Sequence, residues 1–554
     1  MSTRSVVVLF ILTVMALTSS SVAAISDPIR VEQGLLAGTN GDSSDIRVYR
    51  GVPFAAPPIG DLRWKAPQPP VAWQGVRQAT EFSNACWQTQ YSSASAIYQA
   101  PLPKLSEDCL YLNIWTLAKS AKDKLPVMVW IHGGAFTRGS GSSHSYNGEI
   151  LARKGAVIVT INYRLGIFGF FAHPELTAES AHHASGNYAL LDQIAALQWV
   201  QKNIAAFGGD PSRVTIFGES AGSWAVNALM ASPLAKSLFQ RAIGESGGTF
   251  SPMKTLAQAE KDGEKLAASL ASVPSADAKD PNGQSSAAKN GTANTLAALR
   301  AKSPEELLKV ADNELARTIV DGWVLPQDIA TIFFQGKQND VPIIVGYNSD
   351  EGTTLAPQAA NLKAMMFTAG IHQRYGTLAE QMLKIYPAGS DEQAVTSFYA
   401  AYRDQAFGWE MRTWARMATK TGHHPAYLYY FSRRPPGPQS AKLRAFHASE
   451  IAYVFGTFVW PFPWEDTDKK LSDAMTSYWV NFATTGNPNG DNLVKWPVYN
   501  AKEDQSLEFS DQISVRSEIN KTGLDFFDSY YQSLAEAKSE AKPETKKSDA
   551  PVAK

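Results

Sequence analysis

The stretch Arg213-Val214-Thr215-Ile216-Phe217-Gly218-Glu219-Ser220-Ala221-Gly222-Ser223-Trp224 decides how this chain is read. Residues 213–217 suit a buried strand, and 223–232 suit a helix that Pro233 stops. Between them Gly218-Glu219-Ser220-Ala221-Gly222 fits G-x-S-x-G, a strand turning sharply into a helix around a serine. A serine on such a turn sits in a strained backbone conformation and tolerates only small neighbours, which Gly218 and Gly222 supply. The helix start also aims unpaired N–H groups at a reacting carbonyl, so Ala221 is a candidate oxyanion donor. The pattern alone is a weak signal, because Gly244-Glu245-Ser246-Gly247-Gly248 fits it too. Behind Ser246, however, Gly247-Gly248-Thr249-Phe250-Ser251-Pro252 cannot open a helix directly. Ser220 is therefore the candidate nucleophile.

Outward from this turn, β-branched runs at 127–131, 156–161 and 214–217 alternate with a helical stretch at 189–207. In that stretch Leu190, Ile194, Leu197 and Ile204 share one side, ahead of the turn Gly208-Gly209-Asp210-Pro211. Runs at 341–345 and 426–431 read as further strands of the same sheet. This alternation predicts an α/β fold with a central, mostly parallel sheet flanked by helices. No linker divides the chain, so one large domain with insertions is expected over 25–534. Residues 273–294 turn polar and lose periodicity, predicting a surface insertion, and 535–554, rich in Ala, Lys and Glu with prolines, predict a disordered tail.

Upstream, the strand 127–131 runs into His132-Gly133-Gly134-Ala135-Phe136, where small residues let backbone N–H groups approach a ligand. Gly134 and Ala135 are the candidate donors, each such group being worth roughly 2.7 to 4 kcal/mol of transition-state stabilisation. His132, just ahead of the turn, reads as structural. A serine hydroxyl needs a base, which on such folds follows the serine and an acid in chain order. His132, His144, His173, His182 and His183 precede Ser220, whereas His372, His423, His424 and His447 follow it. His423 and His424 lead into the strand at 426–431, and His447 lies beyond it, so order favours His447. For the acid, Asp350 and Glu351 both follow the strand 341–345 and the turn Gly346-Tyr347-Asn348, and local sequence does not choose between them.

With 554 residues, 44% apolar and 19% charged, the chain can bury a large core without dense disulfides. A net charge of −1 provides no field to draw nucleic acid. Arg4, the apolar run 6–17 and the small residues Ser21-Val22-Ala23-Ala24 have a signal-peptide layout over 1–24. The run is too short for the roughly 20 residues of a membrane span. The mature protein is accordingly expected to be secreted or periplasmic, with no stable membrane anchor. In an oxidising compartment Cys86 and Cys109 can form one bridge; the alternative is two buried thiols. Asn290 and Asn520 lie in glycosylation sequons.

Five stretches, in order, carry a resemblance: Arg50-Gly51-Val52-Pro53-Phe54-Ala55, Ser106-Glu107-Asp108-Cys109-Leu110-Tyr111-Leu112-Asn113, Gly218 to Gly222, Asn348-Ser349-Asp350-Glu351-Gly352 and His447-Ala448-Ser449-Glu450. Over nearly the whole mature chain the sequence resembles type-B carboxylesterases, the group that includes cholinesterases, liver carboxylesterases and bacterial para-nitrobenzyl esterases. The resemblance implies an α/β-hydrolase fold with Ser220 as nucleophile, Glu351 rather than Asp350 as acid, and His447 as base. It implies that Ser246 hydrogen-bonds the acid, and that Ser246, Glu219 and Glu450 form the layer behind these three. It further implies a Cys86–Cys109 bridge and buried ion pairs of Arg63 with Glu107 and Arg164 with Asp192.

Where most of the family reads Gly-Gly-Gly this chain has Gly133-Gly134-Ala135, and the added methyl is expected to narrow the space beside the carbonyl. The cholinesterase tryptophan that stacks on quaternary ammonium falls at Gln99, so no special choline-ester site is expected. Phe136, Trp224, Phe455 and Trp460 are candidates for an apolar pocket, with core packing the alternative.

These readings predict hydrolysis of small carboxylic esters through an acyl-enzyme. The alternatives are a specialised hydrolase of one polymer, toxin or amide, and a non-catalytic adhesion protein of the same fold. No cofactor is implied. His447 and Glu450 stand at i, i+3, but no third ligand motif accompanies them as a metal site requires.

Overall fold

A computed structural model describes residues 25–89, 97–98, 101–271, 295–310 and 315–540. Its main sheet has eleven strands, in chain order β1 Thr39–Asn40, β2 Arg47–Pro53, β3 Tyr111–Thr116, β4 Leu125–Ile131, β5 Val157–Ile161, β6 Gly209–Glu219, β7 Arg241–Glu245, β8 Ile343–Asn348, β9 Ala426–Phe431, β10 Gln505–Phe509 and β11 Ser514–Ser517. Across the sheet the order is β11-β10-β9-β8-β7-β6-β4-β5-β3-β2-β1. The run from β10 to β5 is parallel throughout. At the two edges β11, and β3 with β2 and β1, pair antiparallel.

The central strands read as unbroken apolar runs because both faces are covered. Alternate residues point to opposite faces, so Val127, Val129 and Ile131 of β4 enter one core while Met128 and Trp130 enter the other. Helices α1 (Tyr188–Asn203) and α2 (Ala221–Ala231) pack into the first core, and α3 (Asp466–Thr485) contributes Leu471, Met475 and Trp479 to the second.

The predicted crossover helix is α1 followed by a 3-10 turn at Ile204–Phe207, closed by Gly208 in the left-handed region at φ 79. It is buried on more sides than its predicted stripe, with Leu191, Trp199 and Val200 also covered. Gly209-Asp210-Pro211, read as part of the turn, already belongs to β6.

Two further expectations are corrected. Gly346-Tyr347-Asn348, read as a turn, continues β8, paired with Tyr429, Tyr430 and Phe431 of β9. Gly346 is needed for close packing, since a Cβ there would lie 2.3 Å from the Tyr429 ring. The expected tail from 535 is in part helical, because the final helix α4 (Lys521–Glu540) extends through the Ala-Glu-Ala-Lys run, whose residues favour helix. The proposed signal peptide, the insertion 273–294, Gln99, Asn290 and residues 541–554 lie outside the described residues.

Cys86 and Cys109 form a disulfide. Arg63 binds Glu107 through Nε and Nη2, and Arg164 binds Asp192 through two bonds of 2.8 and 2.7 Å. No described helix is long and apolar enough to cross a membrane.

Candidate active site

Ser220 stands between β6 and α2 at φ 56, ψ −121, a region unfavourable for a side-chain-bearing residue. Its N–H donates to the Glu245 carbonyl at 2.8 Å, and its carbonyl accepts from Trp224 N–H at 2.9 Å. The surrounding glycines are dictated by backbone contact. A Cβ on Gly222 would fall 1.9 Å from the Ile131 carbonyl oxygen, and one on Gly218 would fall 2.6 Å from the same atom.

Next to this turn Gly134, Ala135 and Phe136 all have positive φ, at 107, 55 and 58. The Gly134 carbonyl is tied back by the N–H groups of Thr137 and Arg138, at 3.0 and 3.1 Å. Gly134 and Ala135 line a cavity of about 330 Å³ together with Ser220, Glu219 and His447.

His447, in the segment after β9, is buried, and its Nδ1 lies 2.6 Å from Glu351 Oε2. The other oxygen of Glu351 accepts the Asn348 N–H at 2.8 Å, so strand β8 itself orients the carboxylate. Asp350 points elsewhere, accepting from Ser349 and facing Arg444 at 3.5 Å. The geometry thus separates two carboxylates that sequence alone left equivalent. Phe407 packs on the imidazole with ring centroids 5.0 Å apart. The Tyr98 hydroxyl donates to the His447 carbonyl at 2.9 Å.

Ser220 Oγ makes no hydrogen bond to His447. The imidazole Nε2 instead lies 3.1 Å from Glu219 Oε1, without hydrogen-bond alignment. Serine–imidazole bonds are often long in the empty site and tighten once a substrate is bound.

Behind His447 the structure gathers four buried carboxyl groups, Glu219, Glu245, Glu351 and Glu450. Burial first, then Glu351 and Glu245, hold the Glu219 carboxyl well above the usual range. Burial followed by the other three carboxylates does the same to Glu450. Glu450 accepts from the Asn348 side chain, and Glu245 accepts Trp479 Nε1–H at 2.8 Å. Burial pushes Glu245 up to about 8.

Ser246 lies in this layer at φ 53, but its buried Oγ bonds no described group, so the expected hydrogen bond to Glu351 is absent. Glu245 and Tyr429, whose hydroxyl is buried among these carboxyls, were missed from sequence. The available signal was the repeated Gly-Glu-Ser. Gly218 pairs with Gly244 and Glu219 with Glu245 on adjacent parallel strands.

Of the pocket candidates, Trp224, Trp460 and Phe136 line cavities that Ser220 also lines. Phe455 does not; it packs in the core against Trp130 and Phe217. His132 is structural in its contacts, stacked on Tyr163 at 4.4 Å with Nδ1 2.8 Å from the Gly133 carbonyl. Burial lowers it to about 4, keeping it neutral.

A mainly parallel sheet whose central strand delivers a positive-φ serine to a helix N-terminus defines an α/β hydrolase. The chain belongs to the Carboxylesterase family, whose sequence profile matches residues 26–527. It is 36% identical over 502 residues to fumonisin B1 esterase of Sphingopyxis macrogoltabida, covering 89% of this chain and 88% of that protein. With para-nitrobenzyl esterase of Bacillus subtilis it shares 35% over 510 residues, covering 88% and 96%. A solved PNB esterase superposes with a TM-score of 0.74 at 32% identity, over 90% of this chain and 99% of that one. The protein is a carboxylic ester hydrolase.

Proposed function

We propose that this chain is an exported serine carboxylesterase in which Ser220 is the nucleophile, His447 the base and Glu351 the acid, carried on one domain over 25–534 and released from a signal peptide at 1–24. Its substrates are small esters, not nucleic acid. The single observation that carries the reading is the 2.6 Å contact of Glu351 with His447 at the wall of the cavity that Ser220 enters.

Glu351 accepts a hydrogen bond from His447 Nδ1–H, which leaves Nε2 as the basic nitrogen facing the cavity. Ser220 Oγ forms a bond to the ester carbonyl carbon as its proton passes to Nε2. The carbonyl oxygen becomes an oxyanion, held by the N–H groups of Gly134, Ala135 and Ala221. Collapse breaks the bond to the alcohol oxygen, which leaves with the proton from Nε2. Water, deprotonated by the same nitrogen, then attacks the acyl-serine; the acid departs and Ser220 regains its proton. Glu219, whose carboxyl burial holds well above its usual range, stands beside Nε2 at 3.1 Å.

The test is hydrolysis of p-nitrophenyl esters of increasing acyl length by the mature protein and its Ser220→Ala and Ser246→Ala variants, each shown to be folded. Ser220→Ala should lose activity by up to about 10⁶ in rate, while Ser246→Ala keeps most of it. Equal activity of wild type and Ser220→Ala would overturn the assignment.

A further inference from the structure

The cavity beside Ser220 has two arms. The arm of about 330 Å³ contains His447, whereas the second, of about 630 Å³, does not; they share Ala135, Ser220, Trp224, Arg317 and Leu355 at the junction. With Ser220 as nucleophile, as proposed above, the leaving alcohol oxygen must receive its proton from His447 Nε2. The alcohol portion of the ester therefore occupies the first arm, and the acyl chain extends into the second.

The ionisable side chains lining the acyl arm are Lys254, Arg317, Arg374, Glu410 and two tyrosines, Tyr402 and Tyr531. Glu410 is buried and uses its carboxyl to accept the Phe250 N–H at 2.5 Å. Burial holds that carboxyl at about 8, so it is mostly uncharged at neutral pH, and both tyrosines are raised and neutral. Lys254 is answered by Asp262 at 3.0 Å.

Arg317 and Arg374 are different. Both are exposed, and neither has a carboxylate within 4.0 Å among the described residues. Arg317 rests over the Trp224 ring at 5.4 Å, which fixes its guanidinium at the junction of the arms, and Arg374 lies over Tyr375 at 5.7 Å. Among the described residues, the lining of this arm thus has two such guanidinium groups and no carboxylate paired with them, a lining suited to an anion. Arginine also suits carboxylate geometrically, offering paired N–H donors.

We infer that the acyl arm accepts esters of dicarboxylic or polycarboxylic acids, with Arg317, supported by Arg374, binding a free carboxylate on the acyl group. The reacting ester carbonyl remains at Ser220 and the second carboxylate lies farther along the arm.

The experiment compares kcat/KM of the mature enzyme on monoethyl esters of succinate, glutarate and adipate with that on ethyl hexanoate, a neutral match for monoethyl glutarate. The readout is the ratio of carboxylate-bearing to neutral ester. Wild type should favour at least one of the charged esters. Arg317→Gln should lower that ratio at least about tenfold, mainly through KM, and Arg317→Lys should retain part of it. Adding Arg374→Gln should lower it further, and raising the salt concentration should weaken the wild-type preference. Hydrolysis of ethyl hexanoate with a ratio indifferent to Arg317→Gln for all three diacids overturns this inference and leaves the esterase reading standing. Failure of wild type on every ester overturns both.

Discussion

Glu219 and Glu245 stand in register on adjacent parallel strands, each one residue ahead of a serine with positive φ, and both are buried. The two Gly-Glu-Ser stretches thus lie side by side in the sheet. Only the first has a helix behind it, and only the first serine opens on the cavity.

This pairing predicts a pH effect on stability. Burial raises the Glu245 carboxyl from 4.5 to about 8 in the folded protein. Below pH 4.5 both folded and unfolded states hold the proton. Between pH 4.5 and 8 the unfolded state has lost it while the folded state keeps it, so stability falls as pH rises, by at most about 1.4 kcal/mol per pH unit from this group. Above that window the contribution is constant. Gln does not titrate, so the stability of Glu245→Gln relative to wild type should increase between pH 5 and 8. Parallel thermal-unfolding profiles for the two proteins across that range would refute the assignment.

Glu351→Gln should leave the fold intact and depress kcat by roughly 10³ to 10⁴, as loss of the group that fixes the imidazole tautomer does in comparable triads. Asp350→Asn should change kcat only a few-fold, because Asp350 faces Arg444 and not the imidazole. Comparable losses in the two variants would mean that the acid has been misassigned.

Gly222→Ala places a Cβ 1.9 Å from the Ile131 carbonyl oxygen, where only backbone can yield. A loss of about 3 kcal/mol or failure to accumulate folded protein is expected. Gly370→Ala is the control: it lies within the helix Ala364–Tyr375 with nothing within 4 Å of the new Cβ. That change should stabilise by about 0.5 to 1 kcal/mol. Denaturant midpoints of both variants settle the comparison.

The Cys86–Cys109 bridge closes a loop with a sequence separation of 23. Loop-closure entropy gives a cost of about 3 kcal/mol for replacing both cysteines by alanine. The double variant should unfold at lower denaturant than wild type, and wild type in a reducing agent that reaches the bridge should approach it. Coincident unfolding curves would show that the bridge adds nothing.

Much of the site was legible because its chemistry is local. The strand, tight turn and helix around Ser220 occupy consecutive residues, and the same is true of the loop His132 to Phe136. Strand β9 was predicted with its observed bounds, since Ala426–Phe431 is a continuous apolar run ended by polar residues. The antiparallel edge strands were not anticipated. Arg47–Pro53, for example, mixes charged and apolar residues, and its pairing with β3 is a long-range choice. Gly346 misled in the other direction, because a glycine chosen to clear the Tyr429 ring looks in sequence like a turn.

By itself the sequence determined several central strands and the crossover helix between two of them, the serine at the turn, and a histidine late in the chain. These depend on residue type and short-range spacing, which a linear reading can see. Local sequence left Glu351 and Asp350 equivalent until the family resemblance favoured Glu351, which the tertiary structure brings against His447; only the tertiary structure decided that Ser246 bonds no described acid and that Glu245 joins Glu219 in the buried layer. It alone brought Arg317 and Arg374 to the lining of one cavity. Side-chain direction and burial depend on which distant segments pack together, and a charge in the chain acquires its strength only when that packing removes it from water.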